Sequence, residues 1–113
     1  MGALVSLGQR ADVEARIAEL SREARVAFAA RPSPIGADGR GAFVAPTLLV
    51  CDDPSGASAV HEVEAFGPVA TLMPYRSLQD AVALLNRGGG SLVMSLFTHD
   101  PDIAREVVLG AGS

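Results

Sequence analysis

The chain has 113 residues, 49% of them hydrophobic and 19% charged, which places it in the globular range and excludes intrinsic disorder. A formal charge of −4, a pI near 5.0 and scattered arginines with no lysine exclude a surface that tracks a phosphate backbone. No apolar run, Ser91 to Phe97 included, is long enough to span a bilayer, no signal-peptide pattern opens the chain, and the lone Cys51 has no disulfide partner, so a cytoplasmic protein is expected.

The first element predicted is a helix. Ser6-Leu7-Gly8-Gln9 fits an S-x-x-Q capping box, in which serine and glutamine occupy the free amide groups of a helix start. Val13, Ile17, Leu20, Ala24, Ala27 and Phe28 recur at helical spacing, which predicts a helix running through Phe28 and ending at Arg31-Pro32-Ser33-Pro34. Residues Ile35 to Ala42 read as a glycine-rich loop. Phe43 to Cys51 read as extended, with Pro46 restricting that segment to an edge or an irregular start. Asp52 to Ala59 form a turn or short helix.

After Pro68, Val69 to Tyr75 predict a buried strand. Ser77 and Asp80 open a second helix with a stripe of Leu78, Ala81, Val82 and Leu85, which Gly88-Gly89-Gly90 stops. Leu92 to Thr98 predict another buried strand. Asp100-Pro101 then starts a helix with aspartate as N-cap and proline at the first helical position, its buried face being Ile103, Ala104, Val107 and Val108. The expected fold is α/β: about three strands and three main helices in a single unit over residues 1–113, with no internal boundary. Two strands hydrophobic enough to want cover on both faces point to a sheet with more strands, and so to a piece of a larger domain.

The chemistry-bearing residues mostly favour structural readings. Cys51 is followed by Asp52 and Asp53, whose charges oppose a thiolate. His61 and Glu62 lack the second histidine that a metal-binding H-E-x-x-H needs, and no metal site is expected. Neither glycine run, residues 36–41 or 88–90, leaves a strand and opens a helix as a phosphate-binding turn does. Glu62 and Glu64, at i and i+2, share a face if the backbone is extended; spacing alone favours a solvated segment ahead of a strand.

The stretch Glu64-Ala65-Phe66-Gly67-Pro68-Val69 resembles the E-x-F-G-P-V signature of the aldehyde dehydrogenase superfamily. The resemblance extends in order along almost the whole chain. Leu4 to Arg10 resemble its S-x-x-Q helix start, Gly41 to Leu48 its G-x-F-x-x-P-T-L element, Ser77 to Asn86 its E-A-x-x-x-A-N helix, and Ser91 to Asp100 its strand ending in F-T-x-D. Residues Ala59 to Val69 with Leu72-Met73-Pro74-Tyr75 resemble one branch, the bifunctional phenylacetic acid degradation proteins. Asn86 to Leu92 depart from the superfamily pattern by lacking an aromatic-Gly-Leu.

The resemblance implies part of the catalytic domain of an NAD- or NADP-dependent enzyme that oxidises an aldehyde, with a CoA-linked semialdehyde as substrate in the branch named. It implies that Glu64 accepts hydrogen bonds from the nicotinamide ribose and that Phe66 lies beside that ribose and ring. It implies no catalytic residue within residues 1–113, because the family's cysteine nucleophile precedes this region and Cys51 does not match it. A homo-oligomer is also implied, without nucleic acid or membrane as partners. A noncatalytic α/β binding or interaction module is the alternative from a different class.

Overall fold

The computed structural model describes residues 2–31, 38, 40–89 and 92–112. Pro32 to Pro34, expected to stop the first helix, and residues 36, 37 and 39 of the glycine run 36–41 lie outside the described residues, as does Gly90. Two compact units are present, Met1–Met73 and Pro74–Ser113.

In the first unit, helix α1 (Leu7–Leu20) begins as the sequence predicts, with Ser6 as N-cap and its Oγ accepting from the Gln9 amide at 3.1 Å. It ends eight residues before Phe28. The Ser21 hydroxyl donates to the Ile17 carbonyl at 2.7 Å, and the Ala24 amide closes on the Leu20 carbonyl at 3.0 Å. This tight turn redirects the chain into strand β1 (Arg25–Ala29). Ala24 and Phe28, four positions apart, satisfy period 2 as well as helical spacing, and pairing with a neighbouring strand decides between them. That neighbour is β2 (Thr47–Val50), antiparallel to β1 with a bulge between Val26 and Phe28. The extended segment predicted from Phe43 is thus a strand only from Thr47.

Strand β3 (Val69–Leu72) lies parallel to β2, giving the order β1-β2-β3. A parallel pair requires a crossover. Here it runs from Cys51 to Pro68 and includes the short helix α2 (Ala59–Glu62). Its Ser58 N-cap supplies no side-chain bond. Instead the Glu23 carboxylate, from the turn after α1, accepts from the Ser58 amide at 3.0 Å and the Val60 amide at 3.2 Å. The core gathers Leu20, Ala24, Leu49, Cys51, Ala57 and Val60, with Val63, Val69 and Met73 packed against it.

The second unit holds helices α3 (Leu78–Arg87) and α4 (Pro101–Gly110). Their starts match the sequence reading. Ser77 Oγ accepts from the Asp80 amide, and Asp100 Oδ1 accepts from the amides of Asp102 and Ile103. Gly89, at φ +56°, adopts the left-handed conformation that follows a helix end. Asn86 joins the helices: its Nδ2 donates to the Gly110 carbonyl at 2.8 Å, and its Oδ1 accepts from the Gly112 amide at 2.7 Å.

The buried strand expected at Leu92 to Thr98 does not form. These residues are exposed and lie in no sheet, with Leu92 at 99% and Phe97 at 93% exposure. High β propensity produces a strand only beside another strand's edge, and the described elements of this unit are helices. Among the described residues the strands are therefore three, as expected in number, but β1 replaces the one predicted after α3. No helix among the described residues is long and apolar enough to cross a membrane.

Candidate functional site

After α2, Val63 turns the backbone extended, at φ −91° and ψ 120°. Exposure then alternates, with Val63 and Ala65 half-buried and Glu64 and Phe66 exposed. The alternation sets the Glu64 carboxylate and the Phe66 ring on one face of the segment. Two short backbone bonds follow, Gly67 amide to Ala65 carbonyl and Val69 amide to Gly67 carbonyl, both 2.8 Å. They fold residues 65–69 into a corner that enters β3, and the Thr47 amide extends the sheet onto it by donating to the Pro68 carbonyl at 2.9 Å.

The corner is fastened to α1 at two points. A Cβ on Gly67 would stand 2.9 Å from both methyls of Val13, which is itself fully buried, so glycine is required here for close packing. Beside it, Gln9 Nε2 donates to the Phe66 carbonyl at 3.0 Å, while Gln9 Oε1 accepts from the Val5 amide at 2.9 Å. The reciprocal arm of the predicted capping box thus reaches Val5, one residue before the cap. Among the described residues Glu64 makes no hydrogen bond or ion pair, so its oxygens remain open to a ligand. Next to the corner, an open apolar groove of about 380 Å³ is lined by Phe28, Pro46, Leu48, Pro68, Val69 and Ala70, among others.

The other candidates are enclosed or held by neighbours. Cys51 is fully buried; desolvation, with lesser contributions from the carboxylates of Glu23, Asp53 and Asp52, pushes its thiol up despite an opposing hydrogen bond from the Asp53 backbone. His61 uses Nε2–H to donate to the Pro54 carbonyl at 2.7 Å, which pins α2 to the preceding turn. Asp52 takes a two-pronged ion pair from Arg25, 2.9 Å at Nε, across the β1–β2 edge. Among the described residues, no group of three or more histidine, cysteine, aspartate or glutamate side chains could hold a metal ion.

The model of the aldehyde dehydrogenase family matches residues 1–110. The chain belongs to the aldehyde dehydrogenase family. It is 47% identical over 111 residues to Protein MaoC of Klebsiella aerogenes, covering 98% of this chain and 32% of that protein. It is 46% identical over 113 residues to the 3,4-dehydroadipyl-CoA semialdehyde dehydrogenase of Aromatoleum evansii, covering 97% of this chain and 22% of that one. Among solved structures, an aldehyde dehydrogenase of Mycobacterium tuberculosis complexed with NAD+ superposes with a TM-score of 0.80 at 31% identity, over 98% of this chain and 22% of its own. The α/β fold is therefore that of part of an aldehyde dehydrogenase, and the chain spans between about a fifth and a third of the length of these relatives.

Within this aldehyde dehydrogenase stretch, the structure sets Glu64 and Phe66 on one face, while Cys51 is enclosed in the core and His61 is held by the Pro54 carbonyl. Sequence reading did not find the two residues of α1 that hold the corner, Gln9 and Val13. Both were visible, one as a cap residue and the other as part of an apolar stripe. A contact 57 positions away in sequence leaves no local trace.

Proposed function

We propose that residues 1–113 form part of the nicotinamide-binding wall of an NAD- or NADP-dependent aldehyde dehydrogenase. The observation that carries this reading is the corner itself: Glu64 and Phe66 exposed on one face, with their backbone held by α1 and β2. A carboxylate with both oxygens open suits a pair of adjacent ribose hydroxyls, each donating one hydrogen bond. The Phe66 ring lies beside the ribose and restrains the nicotinamide. The bound dinucleotide supplies a hydride acceptor; this stretch orients it and takes no part in bond making.

The substrate class is an aldehyde oxidised to its acid, a CoA-linked semialdehyde of aromatic catabolism, in line with the name of the Aromatoleum relative. The nucleophile of the reaction is not Cys51, because a buried thiol pushed up by desolvation is a poor source of thiolate. The 113-residue chain by itself is accordingly inactive. The enzyme is a cytoplasmic homo-oligomer in this reading.

The test is titration of the isotope-labelled chain with NAD+ and, separately, NADP+, followed by the amide resonances. Shifts are expected at Glu64, Phe66 and Gly67, and Glu64→Gln should weaken binding about tenfold, the size of a charge-assisted hydrogen bond. Shifts confined to other residues, or equal affinity of Glu64→Gln, would overturn the assignment.

A further inference from the structure

We propose that Gln9 is a positioning residue of this site, a latch that sets the Glu64–Phe66 corner in the orientation in which it meets the nicotinamide ribose. The proposal rests on the ribose-binding reading of Glu64 and Phe66. Its own basis is the geometry of one side chain. The Gln9 amide group is used at both ends: Oε1 accepts from Val5 at 2.9 Å, and Nε2 donates to the Phe66 carbonyl at 3.0 Å. The first bond orients the amide group, so that its nitrogen points at the corner.

That carbonyl belongs to the residue whose ring is placed on the ligand, and it lies two positions from Glu64. The backbone before it carries no sheet pairing: α2 ends at Glu62 and β3 begins at Val69. Between them, the Gln9 bond and the Gly67–Val13 contact link α1 to the corner, and the first of these is directional. Gln9 lies in the first turn of α1, whose start is independently fixed by the Ser6 cap. The latch therefore transmits the rigidity of a capped helix to a loop.

Gln9→Glu separates the two halves of this role. Glutamate keeps an acceptor for the Val5 amide and is favoured at a helix start, while the Ser6 cap uses only the backbone amide of residue 9. A glutamate carboxylate at neutral pH has no hydrogen to donate to the Phe66 carbonyl. The experiment compares the parent chain with this variant in three measurements: thermal unfolding, amide hydrogen exchange at Gly67 and Val69, and affinity for nicotinamide mononucleotide by resonance titration. Expected are an unchanged melting temperature, faster exchange at Gly67 and Val69, and affinity weakened about fivefold, as for one ordinary hydrogen bond.

Unchanged exchange and affinity in Gln9→Glu, with the parent chain binding the mononucleotide at Glu64 to Gly67, would overturn the latch and leave the ribose reading intact. If the parent chain shows no binding there, the ribose reading fails, and the proposal fails with it. Gln9→Met, which keeps the length of the side chain and loses both bonds, provides the second variant. It should loosen the corner to the same extent as Gln9→Glu, and full protection at Gly67 in Gln9→Met would also overturn the latch.

Discussion

At the scale of single residues, enclosure separates Cys51 from the surface acids around it. The thiol sits in the core cluster with Leu49 and Ala57, and burial opposes its ionisation. Alkylation of the native chain near neutral pH should therefore be slow and become fast only on unfolding; rapid labelling of the folded chain would revive a thiol chemistry for this residue. The same shift has a consequence for stability. A thiol raised in the folded state stays protonated there, while the unfolded chain ionises near the ordinary value of 9.0. The unfolded state loses protons first, so the contribution of this thiol to stability is level below that pH and falls above it. Denaturant midpoints measured across the alkaline range, for the parent chain and Cys51→Ala, should show the fall in the first and a weaker one in the second. Gly67 makes a complementary prediction. Gly67→Ala places a methyl against both branches of Val13 and should cost about 1–3 kcal/mol, with Val13→Ala in the same chain recovering part of the loss. Additive losses in a double-mutant cycle would show that the two do not touch.

Elements differ in how far their own residues determine them. Ser6, Ser77 and Asp100 each bond the amide groups their positions imply, because capping is decided within a few residues. Asp100→Ala should accordingly cost about 1 kcal/mol, read as a loss of helicity at α4. Strands were less legible. Ala24 and Phe28 fit both periods, and β2, some twenty positions on, selects the extended form. Leu92 to Thr98 have a strand's composition but no neighbouring edge within their unit. The candidate site divides in the same way. Glu64, Phe66, Gly67 and Pro68 were readable as a motif because they are consecutive, whereas Gln9 and Val13, which hold them, were readable only as helix residues.

For the molecule as a whole, large apolar side chains stand exposed in both units. Phe28, Leu72, Leu92, Val93, Phe97 and Leu109 are each more than half exposed. The purified chain should associate with itself in a concentration-dependent way in sedimentation; a single monomeric species at all concentrations would contradict this. Aldehyde oxidation by the same preparation, with NAD+ or NADP+ and a CoA-linked semialdehyde, should be undetectable, and measurable turnover would place a nucleophile within these residues. The Glu23 carboxylate bears on how the first unit assembles. A helix of four residues has no stability of its own. Its Ser58 and Val60 amides are met by Glu23, 35 and 37 positions earlier, so the capped form of α2 is complete only after the chain has closed that distance. The order of events during refolding is thereby constrained: the turn behind α1 comes first, α2 follows it, and protection of the Val60 amide should appear late, in step with the β2–β3 pairing that the same crossover makes possible.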